Sequence, residues 1–516
     1  MNAFPLLSLL TVVPLIGALA ILLVGSKKHS RYVALGFGIV ALALTLLLWH
    51  RFNPAGGGLQ FQEIHDWIPA IGVQYHLGID GLGLVLLALA AIVVLISIAA
   101  SWHVDEKQPL YFALILALQS GLFGTFTALN FFHWFLFWEL SLIPAFFLVR
   151  LWGGPKRASA SMQFFVYTMV GSVALLLAFL AIYLATNTFD FVGLAQIARS
   201  GQLAPALTIL ATHKLVAEQI ALLLFFGAFL GFAVKVPLIP LHTWLPSTYS
   251  EAPTAVTILL TGAMSKMGVY GFLRILLPIF LAQARAEQKL LLWLAVITIV
   301  LAAFAALRQT DLKRIFAYSS INHLGYCMLA IFAVTRIVPD GAAFETAKAS
   351  ALSGAILQMF NHGLTASTLF WFVALIEKRT GGLRGLNDFG GLRKVAPVFT
   401  GLMGIALFSS LGLPGLNGFI GEFLIFRGVF PLVPWAAAVS LLGLLITAVF
   451  LLTILQRVFS GPLRQRRTGG FPDLTMGERI ALAVPIALMF LLGLYPQLVL
   501  GAINSTVLAM VQQVRY

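Results

Sequence analysis

Six ionisable side chains stand where the sequence is otherwise hydrocarbon: Glu139, Lys235, Lys266, His323, His362 and Glu422. Glu139 lies within Phe135-Leu-Phe-Trp-Glu-Leu-Ser-Leu-Ile-Pro144, and Lys266 within Thr261-Gly-Ala-Met-Ser-Lys-Met267. The histidines fall in Ser320-Ile-Asn-His-Leu-Gly325 and Gln358-Met-Phe-Asn-His-Gly363. A charge at the centre of a bilayer costs at least about 2.5–3.5 kcal/mol on insertion scales, so each needs a reason. Singly, Glu139 and Lys235 read as a static ion pair, and either histidine as a satisfied core hydrogen bond. As a set they form a row of titratable groups suited to passing protons. No His-x-x-x-His or Cys cluster accompanies them, which argues against a metal. No Gly-x-Gly-x-x-Gly follows a strand, and no strand pattern is present to host a dinucleotide.

Burial disfavours the charged form of a lysine, and a nearby carboxylate restores it. Changing the Glu139–Lys235 distance would therefore send a proton on to Lys266, through the histidines, to Glu422. Moving one charge against 100 mV costs about 2.3 kcal/mol, so a passive row cannot pump and the energy must come from outside the chain.

Two segments that carry these charges look wrong for plain helices. Ala233-Val-Lys-Val-Pro-Leu-Ile-Pro-Leu-His-Thr-Trp244 holds Pro237 and Pro240. Gly412-Leu-Pro-Gly-Leu-Asn-Gly-Phe-Ile-Gly-Glu422 holds Pro414, Gly415 and Gly418. Proline removes a backbone donor and glycine weakens a helix, so both helices are expected to break there. One proline alone would suggest a kink; two breaks, each with a charge, suggest sites that admit water or ions.

The chain around them has 516 residues, 60% hydrophobic and 10% charged, with a mean hydropathy of +0.97. An ordinary soluble domain runs near ~25% charged, so soluble enzymes, disordered tails and fibrous repeats are excluded. The composition describes an all-α polytopic membrane protein with about fourteen spans. Apolar runs place them at 3–25, 32–50, 81–101, 110–129, 131–150, 163–186, 219–243, 254–279, 290–307, 314–335, 351–377, 397–427, 433–458 and 480–503. Met1 to Val24 lacks a basic flank and a cleavage site, and reads as a retained first helix.

The net charge of +14 fits loops of a membrane protein better than a nucleic-acid partner. Twenty Lys and Arg follow odd-numbered spans and nine follow even-numbered ones, so the odd loops are expected in the cytoplasm and both termini outside. One cysteine, Cys327, excludes an internal disulfide and an Fe–S cluster held by this chain alone. The broken spans are the seventh and the twelfth, five apart. Interrupted helices at matching positions mark inverted repeats, here spans four to eight and nine to thirteen.

Lys-Val-Pro-Leu-Ile-Pro-Leu-His-Thr-Trp-Leu-Pro (235–246), Ser-Glu-Ala-Pro-Thr (250–254) and the mid-helix Lys266 resemble the antiporter-like membrane subunits of respiratory complex I. The likeness runs over roughly residues 80–500. Within that family it is similar to the M type, through the glutamate of Gly418-Phe-Ile-Gly-Glu422-Phe where the L and N types have lysine. The resemblance implies fourteen helices, parted as 1–101, a first repeat 110–279, a second, inverted repeat 290–458 and a closing segment 459–516. It implies that Glu139 and Lys235 act as a coupled pair, Lys266 as central relay, His323 and His362 as axial histidines and Glu422 as the far site. One departure is Ser247, where the family often has an acid. It further implies a proton-translocating subunit in a bacterial inner membrane, flanked by L- and N-type subunits and lipid. FMN, Fe–S clusters and quinone would sit in partner subunits, with none in this chain. The alternatives are a subunit of an Mrp-type cation/proton antiporter, or of a hydrogenase- or ferredoxin-linked relative.

Overall fold

The computed structural model describes residues 5–213, 215–339, 341–463 and 470–515. Lys214, Arg464, Arg466 and Arg467, four of the loop charges counted above, lie outside the described residues. The chain opens with helices α1 (Leu6–Val24) and α2 (Lys27–Arg51), followed by strands β1 (Gln60–Ile68) and β2 (Val73–Ile79). Next come α3 (Gly81–Ala100), α4 (Gln108–Thr127), α5 (Phe131–Trp152), α6 (Arg157–Thr186) and a short helix, α7 (Phe191–Arg199). The middle holds α8 (Ala217–Lys235), α9 (Trp244–Glu251), α10 (Thr254–Ala286), α11 (Gln288–Leu307), α12 (Leu312–Ala333) and α13 (Ala342–Thr380). The last part is α14 (Pro397–Leu411), α15 (Asn417–Leu432), α16 (Pro434–Phe459), α17 (Met476–Leu494) and α18 (Gln497–Gln513). Among the described residues, thirteen helices are long and apolar enough to cross a membrane.

Both expected breaks are present. Helix α8 stops at Lys235, and the chain turns through Pro237 and Pro240 before α9 begins at Trp244. Backbone freed by the break is answered by protein: Leu238 N donates to the Ala233 carbonyl at 2.9 Å, and Ile239 N to Thr298 Oγ1 at 3.0 Å. The indole of Trp244 donates to the Val234 carbonyl at 3.0 Å. In the second break α14 stops at Leu411, and Pro414 and Gly415 lie in the gap, where Gly412 and Gly415 take positive φ of +80° and +93°. Gly418 is not in the gap. It sits in the first turn of α15, where a side chain would collide with the Ser409 carbonyl.

Three expectations are corrected. The chain does contain strands: β1 and β2 pair antiparallel, with Ile64 opposite His76 and Asp66 opposite Gln74. Polar residues at Gln60, Gln62, Glu63, His65 and Asp66 hide the apolar alternation that normally betrays a strand. The Glu63 carboxylate accepts from Leu7 N at 2.8 Å and so answers the open amides of α1. The span expected at 480–503 is two helices, α17 and α18, parted at Tyr495-Pro496, where Tyr495, the residue before proline, leaves the helical region at φ -131° and ψ 66°. The eleventh span is far longer than expected, 39 residues in α13. At about 1.5 Å per residue it overreaches a hydrocarbon core of roughly 30 Å.

Helices α3, α10, α12 and α13 are enclosed by the others, and three of them carry Lys266, His323 and His362. The peripheral α1, α2, α16 and α17 show the leucine- and valine-rich faces expected against lipid. The broken span α14–α15 is anchored at its start by Asp473, whose carboxylate accepts from Val398 N at 3.0 Å and Phe399 N at 2.9 Å. Burial acts to raise its pKa, but the amides of Val398, Leu474 and Phe399 and the nearby Arg479 outweigh that and hold it below the usual value. The stabilisation is therefore complete above the unfolded value near ~4 and is lost as the pH falls through the lower folded value. In thermal unfolding of detergent-purified protein, the gap between wild type and Asp473→Ala should be constant above about pH 5 and shrink below it. A gap that persists unchanged to about pH 2 would contradict this cap.

Candidate functional site

Lys266 lies between two π-helical turns of α10, Leu260–Met264 and Phe272–Leu276. Such turns carry an extra residue, re-aim the side chains beside them and gather at functional sites. The side chain is wholly buried. Its nitrogen donates to the Thr261 carbonyl at 2.5 Å and lies 3.5 Å from Ser265 Oγ. Its third neighbour is His362 Nδ1, at 2.8 Å. That contact depends on two glycines: a Cβ on Gly363 would come within 2.6 Å of the Gly262 carbonyl oxygen. Any larger residue would push α13 off α10 and carry His362 away from Lys266.

The polar track continues on α13, α12 and α15. The rings of His362 and His323 are 5.3 Å apart between centroids. His323 Nδ1 stands 3.1 Å from Glu422 Oε1, with both side chains buried. Gln358 bridges the pair: its Nε2 donates to Glu422 Oε1 at 3.3 Å and lies 3.4 Å from His323 Nδ1. Ser410 Oγ closes the other side of the ring, 3.3 Å from Nε2. A cavity of about 10 Å³ lies among His323, Gln358, His362 and Glu422, on the order of the space one water needs.

What holds Glu422 in place is Asn417, one turn before it on α15. Asn361 Nδ2 donates to the Asn417 carbonyl at 2.6 Å, and Asn417 Nδ2 returns a bond to the Asn361 carbonyl at 3.3 Å. The Asn417 side-chain oxygen accepts from Ser409 Oγ at 2.5 Å. The restarted helix is thus pinned to α13 on one side and to the end of α14 on the other.

Glu139 and Lys235 stand apart from this track. Lys235 is 3% exposed, and its nitrogen rests 3.8 Å from the centre of the Trp138 ring. Among the described residues it has no hydrogen-bond partner, and neither does Glu139 Oε1. Among the described residues no ion pair within 4.0 Å joins the two. Trp138 is fixed in turn, donating its indole N–H to Ser172 Oγ at 3.0 Å. Between Lys235 and Lys266 the helices meet on apolar ground, with Phe232 against Gly271 and Val236 against Gly268. The expected direct step from one lysine to the other has no hydrogen-bonded route among the described residues.

Some contributors escaped the reading of the sequence. Gln358 and Asn361 share a turn with His362, so their helical spacing was a usable signal. Trp138 gave none beyond its position next to Glu139. Arg274 is a further charge inside the eighth apolar run and should have stood out; it pairs with Asp80, which caps α3. Among the described residues no group of three His, Cys, Asp or Glu side chains gathers as a metal site.

The membrane-domain model described as NADH:quinone oxidoreductase/Mrp antiporter matches residues 128–447. NADH-quinone oxidoreductase subunit M of Rhodobacter capsulatus is 35% identical over 514 residues, covering 98% of this chain and 96% of the relative. F(420)H(2) dehydrogenase subunit M of Methanosarcina mazei is 37% identical over 510 residues, covering 96% of each. A chain in the structure of respiratory complex I from Thermus thermophilus with bound NADH superposes with a TM-score of 0.82 at 27% identity, covering 98% of this chain and 99% of its own.

The pin at Asn417 is testable by itself. Asn417→Ala removes the side-chain bond to the Asn361 carbonyl and the acceptor of Ser409 Oγ, while Asn361 Nδ2 keeps the residue 417 carbonyl; losing these buried bonds should cost about 1–3 kcal/mol. Chemical unfolding of the detergent-solubilised protein measures it; an unchanged midpoint would mean that Asn417 does not hold α15.

Proposed function

The chain belongs to the NADH:quinone oxidoreductase/Mrp antiporter family of membrane subunits, as an M-type member, and we propose that it translocates protons across the membrane for redox partner subunits. The observation that carries this reading is the buried run Lys266–His362–His323–Glu422, in which neighbouring groups lie 2.8 Å, 5.3 Å between ring centres and 3.1 Å apart. Each imidazole can take a proton on one ring nitrogen and release one from the other, Glu422 can use either carboxylate oxygen, and the Lys266 amine takes up and gives back a proton at its one nitrogen. One proton gained by Lys266 and one lost from Glu422 leave the run as it began.

Lys235 supplies the control. Its ammonium is held over the Trp138 ring, an attraction worth about 2 kcal/mol or more when desolvated. Movement of Glu139 toward Lys235 would offer it an ion pair instead and withdraw its field from the interior. The two arrangements differ in the charge felt at Lys266, which is what a switch requires. Protons move against a gradient only if electron transfer elsewhere drives that switch. FMN, Fe–S clusters and quinone belong in this reading to partner subunits, with L- and N-type subunits flanking this one in a bacterial plasma membrane.

The inverted repeats, residues 110–279 and 290–458, are supported by matching packing. In the first, α4 lies on α5 and α6 on α8; in the second, α11 lies on α12 and α13 on α15. The fourth span of each is broken, and the fifth of each, α10 and α16, contains a π-helical turn. Residues 1–101 and 459–516 flank them. The excess of Lys and Arg in the odd-numbered loops supports both termini lying outside the cytoplasm.

The relative from Methanosarcina mazei supports a second reading that differs only in the partner: F420H2 rather than NADH as electron source. The track itself does not touch the electron donor and would serve either. Mass spectrometry of co-purifying subunits separates these readings from an Mrp-type assembly, which would bring neither flavin nor Fe–S proteins.

In proteoliposomes holding the intact complex, Lys235→Ala or Glu139→Gln should abolish coupled proton translocation while the complex still assembles. Undiminished pumping would falsify the proposed switch. Cys327→Ser should leave pumping unchanged, because the thiol makes only weak contacts to the His323 and Ala355 carbonyls, at 3.8 and 3.6 Å. A large loss would give that thiol a role in the track.

A further inference from the structure

The Ser-Glu-Ala-Pro-Thr motif and the first turns of α10 carry polar side chains that the track leaves unused. Thr254, Thr257, Thr261 and Ser265 recur every three or four residues, which places them on one face of the helix. All four are buried, and the series ends beside Lys266. Thr257 Oγ1 donates to the Tyr249 carbonyl at 3.1 Å, and Thr261 Oγ1 lies 3.0 Å from Ser320 Oγ on α12. Ser265 Oγ donates to the Thr261 carbonyl at 3.0 Å. The Tyr249 hydroxyl is wholly buried, faces Thr261 and Ser265, and makes no hydrogen bond of normal geometry. A buried, unanswered hydroxyl in a polar column needs an explanation.

At the other end, Thr254 Oγ1 donates to Glu377 Oε2. Glu377 Oε1 lies 3.2 Å from Arg384 Nη1 and 3.9 Å from Lys313 Nζ. Two open cavities, of about 320 and 300 Å³, both reach Thr254 and Glu377. Glu251, Lys313 and Arg384 face Glu377 from the first, and His103 and Lys378 from the second, with Asp311 behind Arg384. The column thus runs from a solvent-open, charged funnel to the buried relay lysine.

We propose that protons reach Lys266 from this face along the hydroxyls of Thr254, Thr257, Tyr249, Thr261 and Ser265, and not by way of Lys235. The inference rests on the reading of Lys266 as a relay. Each hydroxyl turns its O–H from the carbonyl it serves, Thr257 from that of Tyr249 and Ser265 from that of Thr261, gives that proton to the next oxygen and accepts one on a lone pair, so one proton leaves the funnel and the Lys266 amine becomes an ammonium. Four residues of helix rise about 6 Å, more than a hydrogen bond, and Tyr249 Oη and Ser320 Oγ are the extra stations that shorten those steps.

The test compares Thr261→Val, Thr261→Ser, Tyr249→Phe, Glu377→Gln and Lys266→Ala in the intact complex in proteoliposomes. Pumping should fall roughly ten-fold or more in Thr261→Val and Tyr249→Phe, while Thr261→Ser keeps most of it. Glu377→Gln should slow pumping and recover as the pH on its side is lowered, because uptake has become limiting. Normal pumping in Thr261→Val and Tyr249→Phe, with Lys266→Ala inactive, overturns the column and leaves the relay standing. Normal pumping in Lys266→Ala overturns the relay, and the column with it. Thr261→Ser as slow as Thr261→Val marks a packing effect and also overturns the column. If Thr261→Val fails to assemble, Tyr249→Phe, which removes one oxygen from a buried ring, decides alone.

Discussion

No water in a bilayer core is free to answer a polar group, so each one placed there must be answered by protein, and much of this structure follows from that constraint. The enclosed helices α10, α12 and α13 carry Lys266, His323 and His362, while α1, α2, α16 and α17 turn hydrocarbon side chains outward. The first break spends side chains on freed backbone, Thr298 on the Ile239 amide and Trp244 on the Val234 carbonyl, and at the second Asn361 and Asn417 each bond the other's carbonyl. The π-helical turn before Lys266 leaves the Thr261 carbonyl available to the lysine. Even the exposed hairpin contributes, since Glu63 answers the start of α1.

Within that frame the interior divides into two electrostatic compartments. One is the polar track from Lys266 to Glu422, hydrogen-bonded at both ends and continued between them by the His362–His323 ring contact, and Gly262 and Gly363 must be glycine-small for it to close. The other is Lys235 on the Trp138 ring, with Glu139 near but not touching. Phe232 and Val236 lie between the compartments, against Gly271 and Gly268, with no hydrogen bond joining the two among the described residues. A pump needs that separation: a control group joined to the relay by hydrogen bonds would leak what it is meant to govern.

The groups most costly to bury were the easiest to read. Glu139, Lys235, Lys266, His323, His362 and Glu422 stand out because charge is rare in apolar runs, and prolines with glycines marked both breaks. Arg274 had the same signal, and its role in holding α10 to Asp80 emerges only from the fold. Asn417 could not be singled out, since neutral amides are common and what distinguishes it is whom it meets across helices, whereas Gln358 shared a helical turn with His362. The hairpin was illegible because the polar residues of β1 break the alternation a strand usually displays. That Glu139 and Lys235 do not touch was beyond the sequence altogether: adjacency in a mechanism does not fix which of two arrangements a structure adopts.

In the proposed mechanism the two histidines join Lys266 to Glu422 as one conducting path. Proton movement in proteoliposomes containing the complex with His362→Leu tests it most directly, with electron transfer and assembly followed in the same preparation. The account predicts an assembled complex whose proton translocation through this subunit is lost, because the leucine leaves no titratable group within reach of Lys266. Translocation equal to that of the wild type, at the same electron-transfer rate, would contradict it.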